Sequence, residues 1–126
     1  MKQLIFLSVI SFLLIISSCS KEESSSVIFV ISNNNSTQIK NVQIKTSDNL
    51  SKTKEITIEE GKTMAVRLYL DRTTGDGYYM LQYRKDSTSD IFVKRMIGHY
   101  SKGNPLDYEI NISLNPDTLL IRSVKD

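Results

Sequence analysis

Cys19 and His99 are the only cysteine and the only histidine of the 126-residue chain, so nucleophilic or general-base chemistry would have to be built around one of them. His99 has no serine in a Gly-x-Ser-x-Gly setting to activate. One thiol can close no intramolecular disulfide and supports no cysteine-cluster zinc site. Asp71-Arg72-Thr73-Thr74-Gly75-Asp76-Gly77 offers hard oxygen ligands for calcium, but not at the alternate positions that a calcium loop needs. Asp76-Gly77 between two strand-like runs reads instead as a hairpin turn. The chain holds 14 acidic residues, and no feature selects two of them as a hydrolytic pair. No catalytic group, metal or cofactor is expected. A ligand-binding surface is expected at Tyr78, Tyr79, His99 and Tyr100, because tyrosine supplies rigid amphipathic area and the neighbouring Ser, Gly and Asn suit adaptable loops.

The position of Cys19 carries more information than its reactivity. Leu4–Ile16 is a run of thirteen mostly apolar residues behind Lys2. As a helix it would reach about 20 Å, short of the ~30 Å core of a bilayer. Charge, short apolar stretch and small residues in that order make a secretory signal. Its end, Ile16-Ser17-Ser18-Cys19, resembles the lipobox of bacterial lipoproteins. That resemblance implies that residues 1–18 are removed and that Cys19, a soft sulfur nucleophile, becomes the lipid-bearing first residue. Two or more acyl chains, at about 0.8 kcal/mol per buried methylene, hold such a protein on a membrane without spanning it. The following Ser20-Lys21-Glu22-Glu23 resembles the export signal of Bacteroidetes-type surface lipoproteins, which implies the outer membrane and its exterior face. Asp86-Ser87-Thr88 and Asp117-Thr118-Leu119 resemble the O-glycosylation sequon of the same lineage. Residues 19–26 are polar beyond the cysteine and read as a flexible tether.

Whatever surface binds a ligand must be positioned by the remaining 27–126. There, short apolar runs are punctuated by turn residues, and nowhere does the three-and-four spacing of an amphipathic helix persist. Strands are expected at Val27–Ser32, Gln38–Thr46, Lys54–Ile58, Thr63–Leu70, Tyr78–Arg84, Ile91–Tyr100, Leu106–Leu114 and Thr118–Val124. About eight strands with turns at such intervals predict an all-β, two-sheet antiparallel sandwich, Ig-like or transthyretin-like. Alternation assigns Met64, Val66, Leu68 and Leu70, and likewise Leu106, Tyr108, Ile110, Ile112 and Leu114, to the core. Ile39 falls out of phase with Val42 and Ile44, which predicts a bulge or a later strand start near Lys40-Asn41. Consecutive antiparallel strands would gather the loops at 47–51, 71–77 and 101–105 at the tether end.

A formal charge of +2 argues against nucleic-acid binding. The expectation is a lipid-anchored, non-enzymatic binding or accessory module whose partners are the membrane, through Cys19, and a glycan or protein ligand. An inhibitor or immunity lipoprotein that blocks an incoming enzyme or toxin is the alternative.

Overall fold

Side chains of an extended chain point alternately to opposite faces, so an apolar residue at every second position commits one face to a core. The first strand, β1 (Ser26–Asn33), shows this in full: Val27, Phe29, Ile31 and Asn33 are buried and their neighbours are not. The computed structural model describes residues 25–84 and 90–125; Cys19, the lipobox, the export-signal-like run and Asp86-Ser87-Thr88 lie outside them. The remaining strands are β2 (Ile39–Thr46), β3 (Ile56–Ile58), β4 (Thr63–Tyr69), β5 (Gly77–Arg84), β6 (Phe92–Ser101), β7 (Asn104–Pro105), β8 (Glu109–Leu114) and β9 (Leu119–Val124). The eight expected strands are all present, and the two-residue β7 is the addition.

The strands form a sandwich of two sheets, ordered β4-β1-β8-β9 and β3-β2-β5-β6-β7. Every pairing is antiparallel except β1 with β8. β8 follows β7 after the chain crosses from one sheet to the other, so it starts from the same end as β1 and must run alongside it. An immunoglobulin sandwich groups its strands as ABED and CFG; the observed order departs from that grouping. Among the described residues no helix is long and apolar enough to cross a membrane.

The core lies between the sheets. The Tyr79 ring meets Phe29 edge-on at 5.2 Å and Tyr100 at 5.4 Å, which joins β1 to β5 and β6. Three residues expected in the core are exposed. Leu106 and Tyr108 precede β8 in the crossover, and Met64 opens β4, the outermost strand of its sheet. Met64 keeps the expected phase, opposite buried Ile31, but a side chain at a sheet margin has too little across from it to be covered; at 106–108 the expected phase is inverted, since Asp107 has a buried Oδ1 while Leu106 and Tyr108 turn outward.

Each end of the sandwich has its own lock. At the tether end, Ser25 accepts from the Leu70 amide and donates its hydroxyl to Asn104, while the Gly103 amide bonds to the Gly75 carbonyl. The loops at 47–51, 71–76 and 101–105 gather there, as the alternation of strand direction requires. At the other end, fully buried Asn33 donates to the carbonyls of Thr37 and Ile58, both at 2.9 Å, and accepts from the Asn35 amide. A buried amide so fully paired is worth far more in place than removed, because its partners would be left without water or protein. Asn33→Ala is expected to lower stability by about 3 kcal/mol, read as the urea midpoint of the full chain.

Burial raises the pKa of Tyr79 above its ordinary value, with the nearby Asp107 carboxylate adding to the effect; Tyr83 is raised too, by burial opposed by Arg95. The folded state therefore favours the neutral phenols. Their contribution is fully present below the unfolded pKa of about 10 and is lost as pH rises beyond it, when the unfolded tyrosines ionise and the buried ones resist. Stability should fall between pH 9 and pH 11.5, and Tyr79→Phe should make that fall shallower, measured as denaturant midpoints of both proteins across the range.

Candidate functional site

The strands of the five-stranded sheet contain no aspartate or glutamate. Along β5, Tyr79 and Leu81 are buried, which turns Tyr78, Met80, Gln82 and Arg84 outward. Each of these has a cross-strand partner on the same face. Tyr78 lies opposite His99; Met80 lies between Lys45 and Met96; Gln82 between Gln43 and Lys94; and Arg84 between Lys40 and Phe92. With strands ~4.8 Å apart and ~6.8 Å between successive outward residues, the three strands make a face about 20 Å long and 10 Å wide. Thioethers and aromatic rings sit among the cations: Met96 is 54% exposed and Phe92 lies under the Arg84 guanidinium at 5.6 Å.

Two bulges produce this arrangement. The register shift between Lys40 and Gln43, with Asn41 at φ 55°, lets Ile39, Val42 and Ile44 all face the core and leaves Lys40, Gln43 and Lys45 outside. The shift opposite Tyr79-Met80 does the same on β6. It inserts one residue, so that Ile97 and Tyr100 both point inward while Phe92, Lys94, Met96 and His99 point out.

Among the described residues no carboxylate pairs with the cations along the middle of the face. Carboxylates are found at its margins: Asp90 pairs with Arg84 at 3.2 Å, and Glu55 accepts from Asn41 at 2.9 Å. Lys52 adds a further cation directly opposite Lys45. The Thr46 amide bonds to the Ser51 carbonyl and the Thr53 amide to the Ile44 carbonyl, one on each side of that pair. Lys45 and Lys52 therefore occupy a non-hydrogen-bonded position, where Cα atoms approach to about 4.5 Å and side chains stand closest. Like charges so placed destabilise a sheet.

Of the four residues expected to form a ligand surface, the structure brings Tyr78 and His99 together on this face, Tyr78 half-buried and His99 exposed. Tyr79 and Tyr100 are core residues, and the Tyr100 hydroxyl reaches Ser47 at 3.4 Å. Lys40, Lys45, Lys52, Arg84 and Lys94 were not among the residues that the sequence singled out for a ligand surface. The signal was present: Gln38–Thr46, Thr63–Leu70, Tyr78–Arg84 and Ile91–Tyr100 hold no acid, but a net charge near zero concealed the segregation.

At the end remote from the tether a cleft of about 220 Å³ opens between the sheets. Ile39, Tyr83, Val93 and Leu119 form its floor, with Arg95 and Asp117 at its sides. Among the described residues no group of His, Cys, Asp and Glu side chains is arranged to hold a metal ion. Comparison with known family models, with curated proteins and with solved structures finds no match to this chain.

Replacing Lys52 by glutamate converts a repulsive cross-strand pair into an attractive one. Lys52→Glu should stabilise the fold by about 0.5 kcal/mol at low ionic strength, and half-molar salt should erase most of the gain. Paired urea titrations at the two salt concentrations check both statements.

Proposed function

We propose that the chain is a lipid-anchored, non-enzymatic binding module of the cell envelope, held to the outer membrane through Cys19 and contacting its ligand with the outer face of β2, β5 and β6. The observation that carries this reading is the acid-free face itself, and within it the opposed Lys45 and Lys52. The pair costs stability that one substitution would recover, and a ligand of opposite charge would offset that cost when bound. The lipobox-like Ile16-Ser17-Ser18-Cys19 supports the anchor. The direction of the face supports display. Ser25 enters the fold at one end of the strands, so the sheet normal points sideways from the tether, and the face stays accessible to a ligand beside an anchored molecule.

Anchor and face separate in one experiment. Cys19→Ser should release the protein from the membrane fraction and remove the acyl mass from its N-terminus, leaving face-dependent binding intact. Lys45→Gln combined with Lys94→Gln should leave fractionation unchanged and reduce cross-linking of the protein to other envelope components. A Cys19→Ser protein that still fractionates with lipid, or a double variant that cross-links as the native chain does, would defeat the corresponding half of the proposal.

A further inference from the structure

The pattern of groups on the face specifies the class of ligand, an inference that rests on the binding-module reading above. We infer that the face of β2, β5 and β6 recognises an extended anionic polysaccharide, carboxylated or sulfated. Its cations are spread along the face rather than converging on one point. Lys40 and Lys45 lie at the two ends of β2, Lys94 lies across β5 from them, and Lys52 extends the row beyond Lys45. A single phosphate or carboxylate could bridge Lys45 and Lys52 but would leave Lys40 and Lys94 without a partner, whereas a polymer with a charge on each repeat touches several together.

The groups between the cations are those a sugar chain can use. The Gln82 side-chain amide donates to Gln43 at 3.3 Å, so the centre of the face holds a linked pair of amides with donors and acceptors suited to hydroxyls. Tyr78, Met80, Met96 and Phe92 provide flat or polarisable apolar area for the C–H faces of sugar rings. The face is a sheet surface and not a pocket, which suits a chain laid across it better than a compact ligand.

Other polyanions fit less well. Nucleic-acid-binding domains combine a basic face with a domain pI above about 9, and here the formal charge is +2 and the pI about 8.6. Acids occupy the turns around the sheet: Asp48, Glu59, Glu60, Asp71 and Asp76 lie in the loops.

The test is made with the full chain in detergent micelles. Polygalacturonate, chondroitin sulfate, neutral dextran, a single-stranded DNA 20-mer and phosphatidylglycerol vesicles are titrated against the native protein and against Lys45→Gln/Lys94→Gln. Only the binding lost in that variant is scored. A Lys62→Gln/Lys125→Gln variant, altered off the face, serves as the charge-matched control, and thermal unfolding verifies that all three are folded. Binding of polygalacturonate or chondroitin sulfate that weakens about tenfold or more in the face variant, is unchanged in the control and declines steeply with salt supports the inference. Face-dependent binding of dextran equal to that of the charged chains overturns the inference and leaves the binding-module reading standing. Preference for DNA or for vesicles overturns it likewise. If no probe is bound and the face variant also cross-links normally in the envelope, the inference and the reading beneath it both fall.

Discussion

Two insertions in the period-two rhythm of the chain determine everything this molecule presents to solvent on its five-stranded sheet. A strand without a bulge allows one set of alternate residues to face the core. In β2 that rule would set Ile39 against Val42 and Ile44, and one or the other group would be exposed. In β6 it would set Ile97 against Tyr100 in the same way. One extra residue in each strand removes the conflict, and in doing so moves Lys40, Lys45, Lys94 and His99 to a common outer face. Core packing and surface charge are thus set by the same two distortions. The buried apolar groups supply the driving force, each worth about 2 kcal/mol when fully covered, and the cations follow because they occupy the alternate positions.

The segregation extends to the whole domain. Glu109 is the single carboxylate within any described strand, and it lies in the other sheet. The remaining described acids are in turns, where Asp and Glu also serve the backbone. Asp48 accepts from the Thr46 hydroxyl and the Leu50 amide, and Asp76 accepts from Ser101 and the Lys102 amide, where Lys102 takes φ 51°. These carboxylates are employed in holding loop geometry. A near-neutral chain can therefore carry a one-signed face, because its negative charges are occupied at the strand ends while its positive ones stand along the strands.

Strand positions, fold class and the bulge at Asn41 were legible in the sequence because each depends on local alternation and turn chemistry. The second bulge left the same kind of trace, Ile97 and Tyr100 three residues apart and both apolar, but Gly98-His99 between them reads equally as the approach to a turn. Tyr79 and Tyr100 were legible as aromatic and near a loop, and not as buried, since a tyrosine beside a turn can rotate either way until the opposite sheet is known. Phe29 decides it: its ring occupies the place beneath Tyr79 and draws that ring inward. Lys52 was the least legible. Its pairing with Lys45 depends on how the segment between β2 and β3 folds back, which only the Thr46–Ser51 and Thr53–Ile44 hydrogen bonds establish.

Those bonds also explain how a repulsive pair survives. The segment carrying Lys52 is clamped on both sides by groups removed from water. Thr53 accepts the Ile44 amide with its hydroxyl while its own amide reaches the Ile44 carbonyl, and Ser51 bonds to Thr46 and, through its hydroxyl, to Thr73. Buried hydrogen bonds of this kind contribute about 1 kcal/mol each. Cross-strand repulsion between lysines costs about 0.2–1 kcal/mol. Several such bonds outweigh one such repulsion, so the loop stays closed and Lys52 is held beside Lys45 instead of swinging away. The bonds hold the backbone at Lys52 directly opposite Lys45, while the Lys52 side chain stands exposed. The polar core beneath the loop is therefore what fixes the backbone from which these two cations project.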